Sequence, residues 1–133
     1  MQGRASFKKE ERLCSKITID RIFAEGIPLF VFPFRLLYLP LEKSSDSPAK
    51  VLFSVPKKKF KSAVQRNLLR RRMREAYRLN KNALLEQLSE QGMALALVII
   101  YTDRKACSYA KIEKQLIKLL ALLQDKVEVK KSV

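Results

Sequence analysis

The chain has 133 residues, 47% of them hydrophobic, and sets 28 Lys and Arg against 13 Asp and Glu for a net charge of +15, with no histidine. Its length suits a single domain, residues 1–133, with a core of its own, and its apolar content is that of a folded chain. The charge asks for RNA, DNA or an anionic membrane as partner, while the missing histidine removes the commonest general acid–base.

The longest uncharged apolar run, Met93–Tyr101, is well short of the roughly 20 residues a spanning helix needs, so no membrane passage is expected. The opening MQGRASFKKEERL has no apolar signal core, which leaves the cytoplasm as the expected compartment. Cys14 and Cys107 stand far apart without a CxxC pair, so neither a zinc site nor a Cys–His nucleophile is expected; both read as small semi-buried residues. Three glycines cannot supply a Walker loop or a dinucleotide-binding turn. The side chains of this chain are poor candidates for carrying out a reaction.

Residues 1–11 are polar and basic and read as a flexible tail, as do residues 125–133. From Leu13 to Glu25, Leu13, Ile17, Ile19, Ile22 and Phe23 recur near helical spacing ahead of Gly26, which predicts a short helix; Thr18–Asp20 is an alternative first turn. Ile27–Leu41 is apolar, aromatic and too rich in proline for a helix, so it reads as extended chain broken at Pro33. In its second half Phe34, Leu36 and Tyr38 share one face and Arg35, Leu37 and Leu39 the other. Glu42–Ala49 is a polar loop, and Lys50–Val55 a strand ended by Pro56.

Lys57–Arg78 then holds ten of the 28 basic residues and one acid, Glu75. Without Gly or Pro and rich in good helix formers, it predicts a helix from about Ser62. Asn67, Arg70, Arg71, Arg74 and Arg78 fall within a roughly 100° arc, with Leu69, Met73 and Ala76 opposite and Tyr77 at their flank. A solvated charged face would mix signs; like charges three and four apart repel, and a polyanion relieves them. Nucleic acid is the partner this face suggests.

Asn80–Asn82 reads as a kink, Leu84, Leu85 and Leu88 as a second helical piece stopped near Gly92, and Met93–Tyr101 as a strand covered on both faces. After a loop at Thr102–Cys107, Ser108–Gln124 carries Tyr109, Ile112, Leu116, Leu119, Leu120 and Leu123 at helical spacing, a core stripe. The order implies an α/β sandwich of helices on a small sheet. The Val51–Tyr101 unit would ordinarily cross over right-handedly if its strands are parallel.

AVQRNLLRRRMREAYR, Ala63–Arg78, resembles the signature on the central helix of the protein subunit of bacterial ribonuclease P. Arg66, Asn67, Arg70, Arg71, Arg74, Glu75, Ala76 and Tyr77 match it; Leu68 stands where that family has a second Arg, and Arg72 adds a charge. RLCSKITIDRIFAEG resembles the family's first helix, and FRLLYL, KVLFSVPKK, ALVIIY and SYAKIEKQLIKLL follow in the expected order. The resemblance implies an α+β sandwich with a mixed sheet of about four strands, helices at both ends of the chain, and the central basic helix in a left-handed βαβ crossover, against the usual hand. It also implies a protein cofactor of a catalytic RNA, the ribonuclease P RNA, in which magnesium-dependent hydrolysis by the RNA removes the 5′ leader of precursor tRNA. No catalytic or metal-binding residue of this chain and no obligate protein partner is implied.

Carried over residue by residue, the RNA-binding set is Lys57, Lys58, Arg66, Asn67, Arg70, Arg71 and Arg74, whose guanidinium groups suit phosphate oxygens. A leader-binding groove between the first helix, the sheet and the basic helix would be lined by Ile19, Phe23 and Tyr38. Stacking of Phe23 or Tyr38 on unpaired bases contributes about 1–3 kcal/mol each; the other reading of all three is plain core filling. A ribosomal or other structural RNA-binding protein would use the same basic helix without promoting precursor cleavage. A stand-alone nuclease needs a metal-binding acidic cluster or a base, and the acids here are scattered; a helix-turn-helix needs a short turn and partner helix in place of the flanking strands.

Overall fold

The computed structural model describes residue 7 and residues 9–42 and 47–128. After a 3₁₀ turn at Lys9–Glu11 come α1 (Lys16–Glu25), β1 (Ile27–Val31), β2 (Phe34–Leu41), β3 (Ala49–Ser54), α2 (Ala63–Asn80), α3 (Asn82–Gln91), β4 (Ala94–Tyr101) and α4 (Tyr109–Val127). The strands form one sheet in the order β1-β2-β4-β3. The pairs β1–β2 and β2–β4 are antiparallel, whereas β3 runs parallel to β4 and is joined to it through α2 and α3. The expected α+β architecture with a mixed four-stranded sheet is the one observed.

Serine starts three of the helices. Ser15, Ser62 and Ser108 each accept the backbone N–H three residues on, at 3.3 Å, satisfying a donor that the first helical turn cannot pair itself. Gly92 closes α3 at φ 64°, the left-handed region that glycine enters without a Cβ clash. Gly26 ends α1 for a different reason: a Cβ there would stand 2.5 Å from the Ile22 carbonyl oxygen.

Both faces of the sheet are apolar, with different cover. Phe34, Leu36 and Tyr38 of β2 and Leu95, Leu97 and Ile99 of β4 join the buried stripes of α2, α3 and α4 in the main core. On the other side Leu37, Leu39, Ala96 and Val98 meet Leu13 and Ile22, leaving Ile19, Leu52 and Ile100 half-buried. That uneven cover positions everything described below.

The ends of the chain depart from the tail reading. Glu11 is buried in an ion pair with the buried Lys81 at the α2–α3 junction, and the Phe7 ring lies 5.8 Å from that of Phe53 and 6.0 Å from that of Tyr77. Apolar packing holds Phe7 and a paired charge holds Glu11 on the folded body, contacts that a polar composition concealed. Leu13 belongs to it too: its N–H bonds the Val51 carbonyl at 3.0 Å beside β3, so α1 begins at Lys16 rather than Leu13. At the other end α4 runs to Val127, which is buried. The remaining parts of the two expected tails, residues 1–6, 8 and 129–133, and residues 43–46 of the expected polar loop, lie outside the described residues.

Candidate nucleic-acid interface

α2 is anchored through Leu69, Met73, Ala76 and Tyr77, all fully buried. That fixes the rotation of the helix and turns Asn67, Arg71 and Arg74 to solvent, with Arg66 and Arg70 half-buried at the margins. Asn67 accepts a hydrogen bond from Arg70 through its side-chain oxygen, which sets two members of the row beside each other before any ligand arrives. Arg66 donates through Nη1 to the carbonyls of Phe60 at 2.7 Å and Lys61 at 2.9 Å. Its guanidinium thus folds the lysine turn against the start of α2, and Lys57 and Lys58 are exposed on that turn. The structure brings all seven residues of the expected RNA-binding set to one helix and the turn that leads into it.

Two other arginines are engaged in the fold. Arg72 donates to the Cys107 carbonyl at 2.6 Å and ties α2 to the loop before α4. Arg78, expected at the end of the outward row, grips Glu75 through two hydrogen bonds of 3.0 and 2.6 Å. That bond holds the Glu75 carboxyl below the usual carboxylate range. The row that faces outward without such a clamp is therefore shorter than the helical wheel suggests.

Beside the row lies a cavity of about 290 Å³ between Phe7, residues 12–14, β3 and α2. Arg12, Arg70 and Arg74 line it together with Phe7 and Phe53. Arg12 stands 5.9 Å over the Phe7 ring, a cation–π arrangement. Three arginines around one cavity are a lining that suits an anion, since guanidinium groups pair well with phosphate and carboxylate oxygens. Sequence reasoning missed Arg12, because its partners come together only when Arg12 and Leu13 dock on Val51 and Phe7 packs on Phe53 of β3.

The expected leader groove is only partly assembled. Ile19 and Phe23, four residues apart, sit together along α1, Ile19 half-buried and Phe23 56% exposed. Tyr38 is not with them. It is 7% exposed and belongs to the main core under α4, since strand alternation sends it the same way as Phe34 and Leu36. The residues of β2 on the α1 side are its neighbours Leu37 and Leu39, with Ile100 on the adjoining β4 and Leu52 one strand further, on β3. Tyr38 therefore fills the core, and the groove wall is aliphatic.

Among the described residues no group of three or more His, Cys, Asp and Glu side chains comes together in a way that could hold a metal ion, and no helix is long and apolar enough to cross a membrane.

The ribonuclease P family model matches residues 7–124. Among curated relatives, the ribonuclease P protein component of Porphyromonas gingivalis strain ATCC 33277 is 32% identical over 119 residues, 90% of this chain and 87% of the relative. That of Petrotoga mobilis is 31% identical over 124 residues, 93% and 99% of the two chains. The solved structure of the Staphylococcus aureus RNase P protein is similar with a TM-score of 0.70 at 21% identity, over 86% of this chain and 95% of that one. The Thermotoga maritima RNase P protein gives 0.64 at 24% identity, over 83% and 94%.

Proposed function

This chain belongs to the ribonuclease P protein component family, which implies a role in tRNA processing with a ribonuclease P RNA partner, and on that premise we propose how its surface serves that role. α2 and the lysine turn bind RNA through Lys57, Lys58, Arg66, Asn67, Arg70, Arg71 and Arg74. The edge of α1 with Ile19 and Phe23, continued by Leu52 and Ile100, receives the unpaired 5′ leader of precursor tRNA. The catalytic RNA carries out the magnesium-dependent cleavage, in the cytoplasm, and the protein supplies binding and orientation. The observation that carries this reading is the division of labour on α2: its apolar side is fully buried while Asn67, Arg71 and Arg74 face solvent beside a cavity lined by three arginines.

Reconstitution tests it. The chain, a bacterial ribonuclease P RNA and precursor tRNA are combined at low magnesium, with RNA alone and protein alone as controls. Cleavage in the mixture well above that of either component is the expected result. Arg70→Ala with Arg74→Ala weakens RNA binding and flattens its salt dependence by roughly 0.7–0.9 in log–log slope for each phosphate no longer neutralised. RNA binding without enhanced cleavage would replace the proposal with a structural RNA-binding role, and an unchanged slope would remove these arginines from the interface.

A further inference from the structure

One end of the sheet gathers three connections: the β1–β2 turn at Phe32–Pro33, the Pro56–Lys61 turn before α2, and the Thr102–Ser108 loop before α4. They touch one another. Thr102 donates its N–H at 2.7 Å and its hydroxyl at 2.8 Å to the Pro33 carbonyl, and the Phe60 and Phe34 rings flank that of Tyr101 at 5.8 and 6.0 Å. Through them the basic surface of α2 and its lysine turn continues past the exposed Arg104 and Lys105 to the tip of the β1–β2 hairpin.

That tip carries Phe30 and Phe32, 58% and 46% exposed, with ring centroids 6.4 Å apart. They are bare because β1 is an edge strand and α1 packs on β2 and β4 instead. The turn is nonetheless fixed, since Gln115 of α4 donates to the Phe32 carbonyl at 2.7 Å. Cations surround the rings: Lys111 Nζ lies 5.9 Å from the Phe32 centroid, and Arg35, exposed, stands opposite Phe30 in the strand register. The nearby acid, Asp103, is turned onto its own loop, where it accepts from the Lys105 N–H at 3.2 Å and the Cys107 thiol at 3.7 Å.

Two exposed aromatic rings set among cations do not suit an apolar protein surface, which would have to take those charges out of water without pairing them. They suit a single-stranded nucleic acid, whose bases offer π-faces and whose phosphates offer anions. We propose that the Phe30–Phe32 tip is a stacking site for unpaired RNA bases, with Arg35 and Lys111 meeting the adjoining phosphates, so that a strand bound at α2 is held a second time across the sheet end. The inference rests on the proposed RNA-binding role.

The test compares binding of a fluorescent 12-nucleotide oligouridylate and a 12-base-pair RNA duplex to the full chain, to Phe30→Leu/Phe32→Leu and to Phe30→Tyr/Phe32→Tyr. The leucine pair should lose about 5- to 150-fold in affinity for the single strand, the range for one stacked base, and less than about two-fold for the duplex. The tyrosine pair should keep the single-strand affinity. Equal single-strand affinity of the wild-type and leucine proteins overturns this inference alone. Failure of the wild-type chain to bind either oligomer overturns it together with the RNA-binding role. A dimer in sedimentation that the leucine pair dissolves, with RNA affinity unchanged, would assign the tip to a second copy of the chain.

Discussion

The two faces of the sheet share strands and apolar character but not their cover. On one, α2, α3 and α4 close over Leu95, Leu97 and Ile99 until nothing of them is exposed. On the other, Leu13 and, from α1, Ile22 are the buried cover, and Ile19, Leu52 and Ile100 stay half-open with Phe23 outside. A small domain seldom leaves apolar surface open beside basic groups unless something else covers it. The closed face holds the fold together, and the open face keeps apolar side chains accessible.

The strongest way to break that comparison is to truncate equivalent positions on each side. Leu97→Ala, on the closed face, should cost about 2–5 kcal/mol, because the packed surroundings collapse only partly into the void. Thermal and denaturant melts read the loss directly. A cost below about 1 kcal/mol would mean that the closed face is loosely packed and that the two faces do not differ in this way.

Phe23→Ala tests the open face. With its ring mostly outside, stability should change by less than about 1 kcal/mol, whereas affinity for precursor tRNA should fall by about 5- to 150-fold only when the leader is long enough to reach α1. Binding measured against leader length, next to a melt of the same protein, separates the two effects. A large drop in melting temperature with no dependence on leader length would return Phe23 to the core.

Which face a strand residue occupies explains what could be read in advance. The alternation of Phe34, Leu36 and Tyr38 against Leu37 and Leu39 is written in β2, and the arc of Asn67, Arg71 and Arg74 is written in α2, because each period is local. Which of the two β2 faces meets α1 is not local. It depends on where Leu13 docks on Val51, two residues far apart in the chain, and so sequence reasoning puts Tyr38 in a groove that Leu37 occupies. The same holds for the Glu11–Lys81 pair and for Arg72 on the Cys107 carbonyl: charged residues that composition assigns to solvent acquire partners only in the folded chain.

The smallest expected effect lies inside the closed face and has the opposite sign. Tyr77 is fully buried against the rings of Phe7 and Phe53, and its hydroxyl has no hydrogen-bond partner among the described residues. Burial, and then the Glu11 charge, push its phenol above the usual range. Below about pH 10 the folded and unfolded states both keep this proton. As the pH rises past that point the unfolded chain ionises first, so stability falls by up to about 1.4 kcal/mol per pH unit until the buried phenol also titrates. Tyr77→Phe should therefore raise stability at neutral pH by about 1 kcal/mol, by removing a desolvated hydroxyl, and should make the alkaline decline shallower. Tyr101 and Tyr109, also shifted upward by burial, keep that decline from vanishing. Melts from pH 7 to 11 check both effects. A loss of stability at pH 7 would mean that the hydroxyl is bonded in the folded protein, and the closed face would then be held by a polar interaction as well as by packing.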